Sequence, residues 1–178
     1  VFETEPPPAD HPLLAREDLR HLPIVAIDPA DARDHDDAIW AEPDGEGGFR
    51  AIVAIADVSF YVRAGGAIDR EARKRGNSVY FPDRVVPMLP EVLSADVCSL
   101  REGEDRAAMA CHLRIDEHGN VAKFRFSRAL VRIAQNIAYE DAQGLIDRGD
   151  APEHLRNLWA CWHALARARQ ARDPLELE

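Results

Sequence analysis

The stretch "AIDPADARDHDDAI", residues 26–39, sets five aspartates, an arginine and a histidine among apolar residues. A short β-branched run, "IVAI" (24–27), leads into it, and "AIWAE" (38–42) leads out. Runs of that kind read as buried strands. The like charge therefore has to sit in a loop off the carboxyl end of the first strand. Crowded carboxylates repel one another and raise each other's pKa. A folded loop keeps them ionised only if it is well solvated or holds cations. Three readings are open on chemistry alone. The loop is a solvated acidic turn, a calcium loop, or a site for hard divalent ions. The EF-hand pattern, with its central glycine and closing glutamate, is missing. Mg²⁺ takes one or two carboxylates together with substrate phosphate. Two such ions about 4 Å apart can clamp the attacking and leaving oxygens of a phosphodiester.

The rest of the chain reads as a mixed α/β or α+β domain with strands dominating its first three-quarters. "VFETEPPPADHP" (1–12) reads as a linker or frayed terminus. "PDGEGG" (43–48) is a turn whose glycines supply positive φ. "FRAIVAIADVSFYV" (49–62) reads as a long central strand, and the three strands together suggest a sheet with a hairpin. "GGAIDREARKRGN" (65–77) is a short helix stopped at Gly76. Residues 78–100 carry three prolines and read as ordered loop. A second hairpin joins 106–116 to 121–134 through "EHGN". Helices follow at 139–147 and 152–171. In the second of these, Leu155, Leu158, Trp159, Trp162, Leu165 and Ala166 form an apolar stripe. That stripe, and the closing "DPLELE", suggest that the fold continues beyond this segment.

The net charge is −10, which argues against duplex binding through a broad basic face. Two local stretches run the other way. Residues 63–84 hold six cations against three acids, and residues 121–132 hold four cations and no acid. Such stretches can meet a nucleic-acid backbone. Cys98, Cys111 and Cys161 show no CxxC or Cys/His metal spacing and read as buried free thiols of a reducing, cytoplasmic compartment. No signal peptide and no apolar run near 18 residues is found.

The acidic stretch resembles the aspartate signature of the RNB catalytic domain of the ribonuclease II and ribonuclease R family. "IADVSFYV", "AIDREARKRGNSVYFPDRVVPMLPEVLS", "CSLREGEDR" and "YEDAQ" follow in that family's order. The wording "RGNSVYFPDRVVPMLP" is closer to the ribonuclease R branch. The resemblance covers about residues 15–172 and implies an RNB-type fold with a mixed, largely antiparallel sheet flanked by helices. It implies residues 13–178 to be the N-terminal part of such a domain, apparently truncated. The implied activity is Mg²⁺-dependent hydrolysis of single-stranded RNA from the 3′ end, releasing nucleoside 5′-monophosphates.

The family's four catalytic aspartates match Asp28, Asp34, Asp36 and Asp37, which become the implied Mg²⁺ ligands. Asp28 and Asp37 match the firmest ligands, and Asp36 matches the one most critical for turnover. Tyr80 matches an aromatic that stacks on the 3′-terminal base. Arg75 and Arg84 are the nearby candidates for RNA backbone. Asp31 has no family role, and Arg33 and His35 read as fillers, either on the surface or lying just behind the metal ligands. The C-terminal half of such a domain, with a second clamp aromatic, an arginine and a glutamate, is missing here. So are the flanking cold-shock and S1 domains. Asn136 and Ala138 replace an arginine and a threonine, which removes an ion pair and a helix cap. The alternative reading is a non-catalytic RNB-fold fragment that binds RNA or serves as a scaffold.

Overall fold

The computed structural model describes residues 15–172. The expected linker at 1–12 and the closing "DPLELE" lie outside those residues. The apolar runs at 24–27, 38–42 and 49–62 become neighbouring strands, as the pattern predicts. β1 is Glu17–Asp18, β2 Val25–Asp28, β3 Asp37–Pro43 and β4 Phe49–Ala56. Helix α1 spans Ala67–Arg75, and β5 (Val79–Tyr80) pairs with β6 (Val85–Val86). β7 is Asp105–Ile115, β8 Val121–Arg132 and β9 Gln135–Ala138. Helices α2 (Tyr139–Arg148) and α3 (Glu153–Gln170) close the described chain.

One seven-stranded sheet carries the structure, in the order β1-β8-β7-β4-β3-β2-β9. Its four central pairings are antiparallel, while β1 joins β8 and β9 joins β2 in parallel. β2 and β3 read as nearly unbroken apolar runs because both faces of the sheet are covered there. Alternation sorts the side chains. Ala38 and Trp40 of β3, with Ile52, Ala54 and Ala56 of β4, pack with Leu93, Val97, Cys98 and Leu100 on one face. Ile39 and Ala41 face the other way, toward Leu155, Leu158 and Cys161 of α3. The many alanines of the first face let the irregular 93–100 segment lie close against the sheet.

Several expectations need correction. The strand read over 49–62 stops at Ala56. Asp57 is buried and turns the chain into a 3-10 turn at Val58–Phe60, because its carboxylate is held by Arg16 and Ser59. The segment 78–100, read as loop, contains the β5–β6 ribbon and a π-helical turn at Leu93–Val97. The second hairpin is right, but the run 121–134 ends at Arg132 and β9 is a separate strand. On α3 the sheet-facing stripe runs through Leu155, Leu158, Cys161 and Leu165. Trp162 is half exposed and stacks on Trp159 at 4.9 Å, so it lies beside the stripe. Cys98 and Cys161 are buried free thiols, pushed up to about 11 by burial, while Cys111 is only half-buried. Gly48 has ordinary φ; it is needed because a Cβ there would lie 2.1 Å from the Ile115 carbonyl oxygen. Among the described residues no helix is long and apolar enough to cross a membrane.

Candidate active site

The aspartate loop is fixed at both ends by the sheet. Asp28 is the last residue of β2 and sits opposite Ala138 of β9. Asp37 is the first residue of β3 and sits opposite Ile55 of β4. Between them, the backbone is tied down point by point. The Ala56 N–H donates to the Asp36 carbonyl at 2.8 Å, which anchors the loop to the end of β4. The Leu100 N–H donates to the His35 carbonyl at 2.8 Å. The fully buried Ser99 hydroxyl accepts from the His35 N–H and donates to the Arg33 carbonyl, both at 3.0 Å. A loop this charged is thus held against the 93–100 segment by its own backbone groups, with Asp36 and Asp37 exposed and Asp28 and Asp34 half-buried.

The four aspartates feel one another. Asp36 stays open to solvent, yet the protein crowding its carboxyl pushes its pKa up, and the charges of Asp34, Asp37 and Asp28 push it further. Two of the other carboxylates have donors. Asp28 shares a 2.6 Å hydrogen bond with His35 Nδ1. Asp34 accepts the Tyr80 hydroxyl at 2.8 Å, and that bond raises the phenol's pKa. Asp31 is exposed, with no part in these contacts. Among the described residues, no three acidic, histidine or cysteine side chains converge as a finished metal cage. Mg²⁺ asks for less, since it keeps water and takes one or two carboxylates with the phosphate it serves. A donor set made only of mutually repelling carboxylate oxygens fits that ion in its chemistry.

Tyr80 is the member of the β5–β6 ribbon that reaches this loop, and its ring is 65% exposed. Arg75 and Arg84 do not reach the aspartates. Arg75, at the end of α1, donates to the Pro87 carbonyl at 2.9 Å and pairs with Glu71. Arg84 stacks over Phe81 at 4.8 Å and pairs with Asp83. Both are exposed. In the second basic stretch, Arg125 is engaged bidentately by Glu17 and Arg132 by Asp105. His35 lies behind Asp28, one of the two places its position among the aspartates allows. Ser99 has no signal in the sequence that points to this loop.

A model of the RNB domain matches residues 16–178. The chain belongs to the RNB family. The ribonuclease R of Vibrio parahaemolyticus is 44% identical over 174 residues, 93% of this chain and 21% of that relative. The segment therefore spans about a fifth of that relative's length. The RNase R of Mycoplasma genitalium, solved with double-stranded RNA, superposes with a TM-score of 0.80 at 31% identity, over 88% of this chain and 28% of that one. Yeast Ssd1, described as a pseudonuclease, shares the fold at a TM-score of 0.75 and 21% identity, over 90% of this chain and 20% of its own.

Ala138 precedes α2 with no side-chain cap, as its sequence predicts. Asn136 has a use of its own. Its side chain accepts from the Glu102 N–H at 2.8 Å and donates to the Leu100 carbonyl at 3.0 Å. It thereby ties the segment that pins His35 to strand β9.

Proposed function

We propose that this segment carries the metal-binding half of the active site of a 3′-to-5′ exoribonuclease. The reaction is hydrolysis of the terminal phosphodiester of single-stranded RNA, releasing nucleoside 5′-monophosphates. The observation that carries the reading is the crowding of Asp28, Asp34, Asp36 and Asp37 at one end of β2 and β3, where desolvation of the Asp36 carboxyl by the protein around it, and after it the charges of the other three, raise its pKa.

In this reading the four aspartates hold Mg²⁺, which supplies charge neutralisation at the phosphate and a more acidic bound water. Asp28 and Asp37 are anchored in strands, which fixes where their side chains leave the backbone. Asp36 offers the carboxylate with most to gain from a cation. The exposed Tyr80 ring gives the terminal base a flat surface beside the aspartates, and stacking of that kind tolerates any base. Arg75 and Arg84 offer charge to the backbone phosphates. The full-length natural chain is the form to assay. With Mg²⁺, 5′-labelled single-stranded RNA is expected to shorten stepwise from its 3′ end, and a chelator is expected to stop it. Internal cuts would overturn the exonuclease reading. RNA binding without turnover would favour a non-catalytic scaffold.

Two changes at Tyr80 separate its ring from its hydroxyl. Tyr80→Ala is expected to weaken single-stranded RNA binding by about 1–3 kcal/mol, the usual value of one stacked base. Tyr80→Phe keeps the ring and is expected to bind RNA within a small factor of the unaltered protein. Filter binding in the absence of divalent ions checks both. Equal losses for the two would assign the grip to the hydroxyl rather than to stacking.

A further inference from the structure

We infer that His35 is a positioning residue, held by Ser99, that orients the Asp28 carboxylate for cation binding. The inference rests on the reading of the aspartates as Mg²⁺ ligands. Its warrant is a chain of contacts in which each group is fixed by the one behind it. Ser99 is fully buried, and its hydroxyl bridges two backbone groups of the loop, accepting from His35 N–H and donating to the Arg33 carbonyl. The next residue holds the other backbone group of the same residue, through the Leu100 N–H on the His35 carbonyl at 2.8 Å. The His35 backbone is thus clamped on both its donor and its acceptor. From that fixed point the ring reaches Asp28, with Nδ1 and Oδ2 2.6 Å apart and side chains only 14% and 17% exposed.

The tautomer follows from the partner. A carboxylate only accepts, so Nδ1 carries the proton and donates. Asp28 is already fixed in its backbone by pairing with β9. Its remaining freedom is rotation about its two side-chain bonds, and the Nδ1–H bond restricts both. Oδ2 is taken by His35, and Oδ1 has no hydrogen-bond partner among the described contacts. Ligating carboxylates are commonly hydrogen-bonded in this way, and loss of such a partner costs about 10–100-fold in metal affinity or activity. The neighbouring residues do not substitute. Asp34 has Tyr80, and Asp36 and Asp37 have no side-chain donor among the described contacts.

The test is direct Mn²⁺ binding to the full-length natural chain without RNA, read from the loss of the free-ion signal in electron paramagnetic resonance. Three variants separate hydrogen bonding from packing. His35→Phe fills the ring's volume and has no donor. His35→Ala removes both. His35→Asn keeps a side-chain N–H near the place of Nδ1. The expected result is affinity lowered about tenfold in His35→Phe and His35→Ala, with most of it restored in His35→Asn. Matching circular dichroism and melting of the three confirm a common fold. Mn²⁺ bound by His35→Phe as tightly as by the unaltered protein would overturn the inference and leave the metal site standing. Absence of Mn²⁺ binding by the unaltered protein would overturn the metal reading, and this inference with it.

Discussion

Asp36→Asn in the full-length chain is expected to abolish RNA hydrolysis, by at least about a hundredfold, while raising thermal stability at neutral pH in the absence of divalent ions. Both effects come from one cause. Asp36 is pushed up in pKa by its crowded surroundings and then by Asp34, Asp37 and Asp28. Asparagine keeps its shape and removes its charge. Without a cation, that removes repulsion and the loop relaxes. With a cation and RNA, it removes a preorganised charge from the reacting phosphate, a loss of the order found for other electrostatic groups in active sites. The sign of the pH dependence follows. A carboxyl with a raised folded pKa binds its proton more tightly when folded, so its ionisation penalises the folded state. The penalty sets in as pH rises past the ordinary aspartate value of about 3.9 and is complete above the folded value. The unaltered and Asp36→Asn chains should therefore melt alike in strong acid and part company toward neutrality. Metal-free melting curves across that range check it. A variant less stable than the parent at pH 7 would show that Asp36 is held by attraction rather than repulsion, and would remove the main support for a cation site here.

How much of this could be read in the sequence depends on the range of the interaction. The strands around the aspartates were legible because "IVAI", "AIWAE" and "FRAIVAIA" have uniform apolar content, and burial on both faces leaves no polar alternation to hide it. The position of the acidic loop at a strand end followed at once. The end of β4 was not legible. "IADVSFYV" continues the β-branched pattern past Asp57, and the Ser59 hydroxyl together with the long-range partner Arg16 makes that aspartate a turn instead of an interruption. Ser99 was invisible for the same reason. A serine in "VCSLRE" carries no local sign that its hydroxyl bridges a loop more than sixty residues earlier. The aspartates themselves were identified by the resemblance of several ordered motifs. Their chemistry alone left a solvated turn open, and the contacts of His35 and Tyr80 with Asp28 and Asp34 were beyond local patterning altogether.

Asp57→Ala is expected to cost about 3–5 kcal/mol of stability, the usual result of stripping one partner from a buried ion pair. For a chain of this size that lowers the melting temperature by roughly 10 °C. Arg16 and Asp57 meet at 2.7 Å with side chains 4% and 3% exposed. Arg16 also donates to the Ala108 carbonyl and lies over the Phe60 ring at 4.9 Å. Its Nε is buried without a hydrogen-bond partner, so its charge is already incompletely satisfied. Removing Asp57 leaves a buried guanidinium with no counterion. Burial by itself would push the Asp57 pKa up, but the Ser59 hydroxyl and Arg16 more than offset it, and the carboxyl sits below its usual range. Its contribution is therefore present above about pH 3.9 and is lost as pH falls through the lower folded value. The damage should also reach the site. Asp57 directly follows Ala56, whose N–H holds the Asp36 carbonyl, and its own N–H holds Ala107 at 3.0 Å. Loosening this corner frees the aspartate loop at its β4 end. The double variant Arg16→Met/Asp57→Leu separates the two consequences, because matched apolar groups can replace a buried pair at little cost in stability. Melting temperature recovered without activity would mean that the ion pair sets the direction of the corner as well as its stability. Asp57→Ala melting within about 2 °C of the parent, less than the shift expected from 1 kcal/mol, would show that water reaches Arg16 and that the corner is held by its backbone alone.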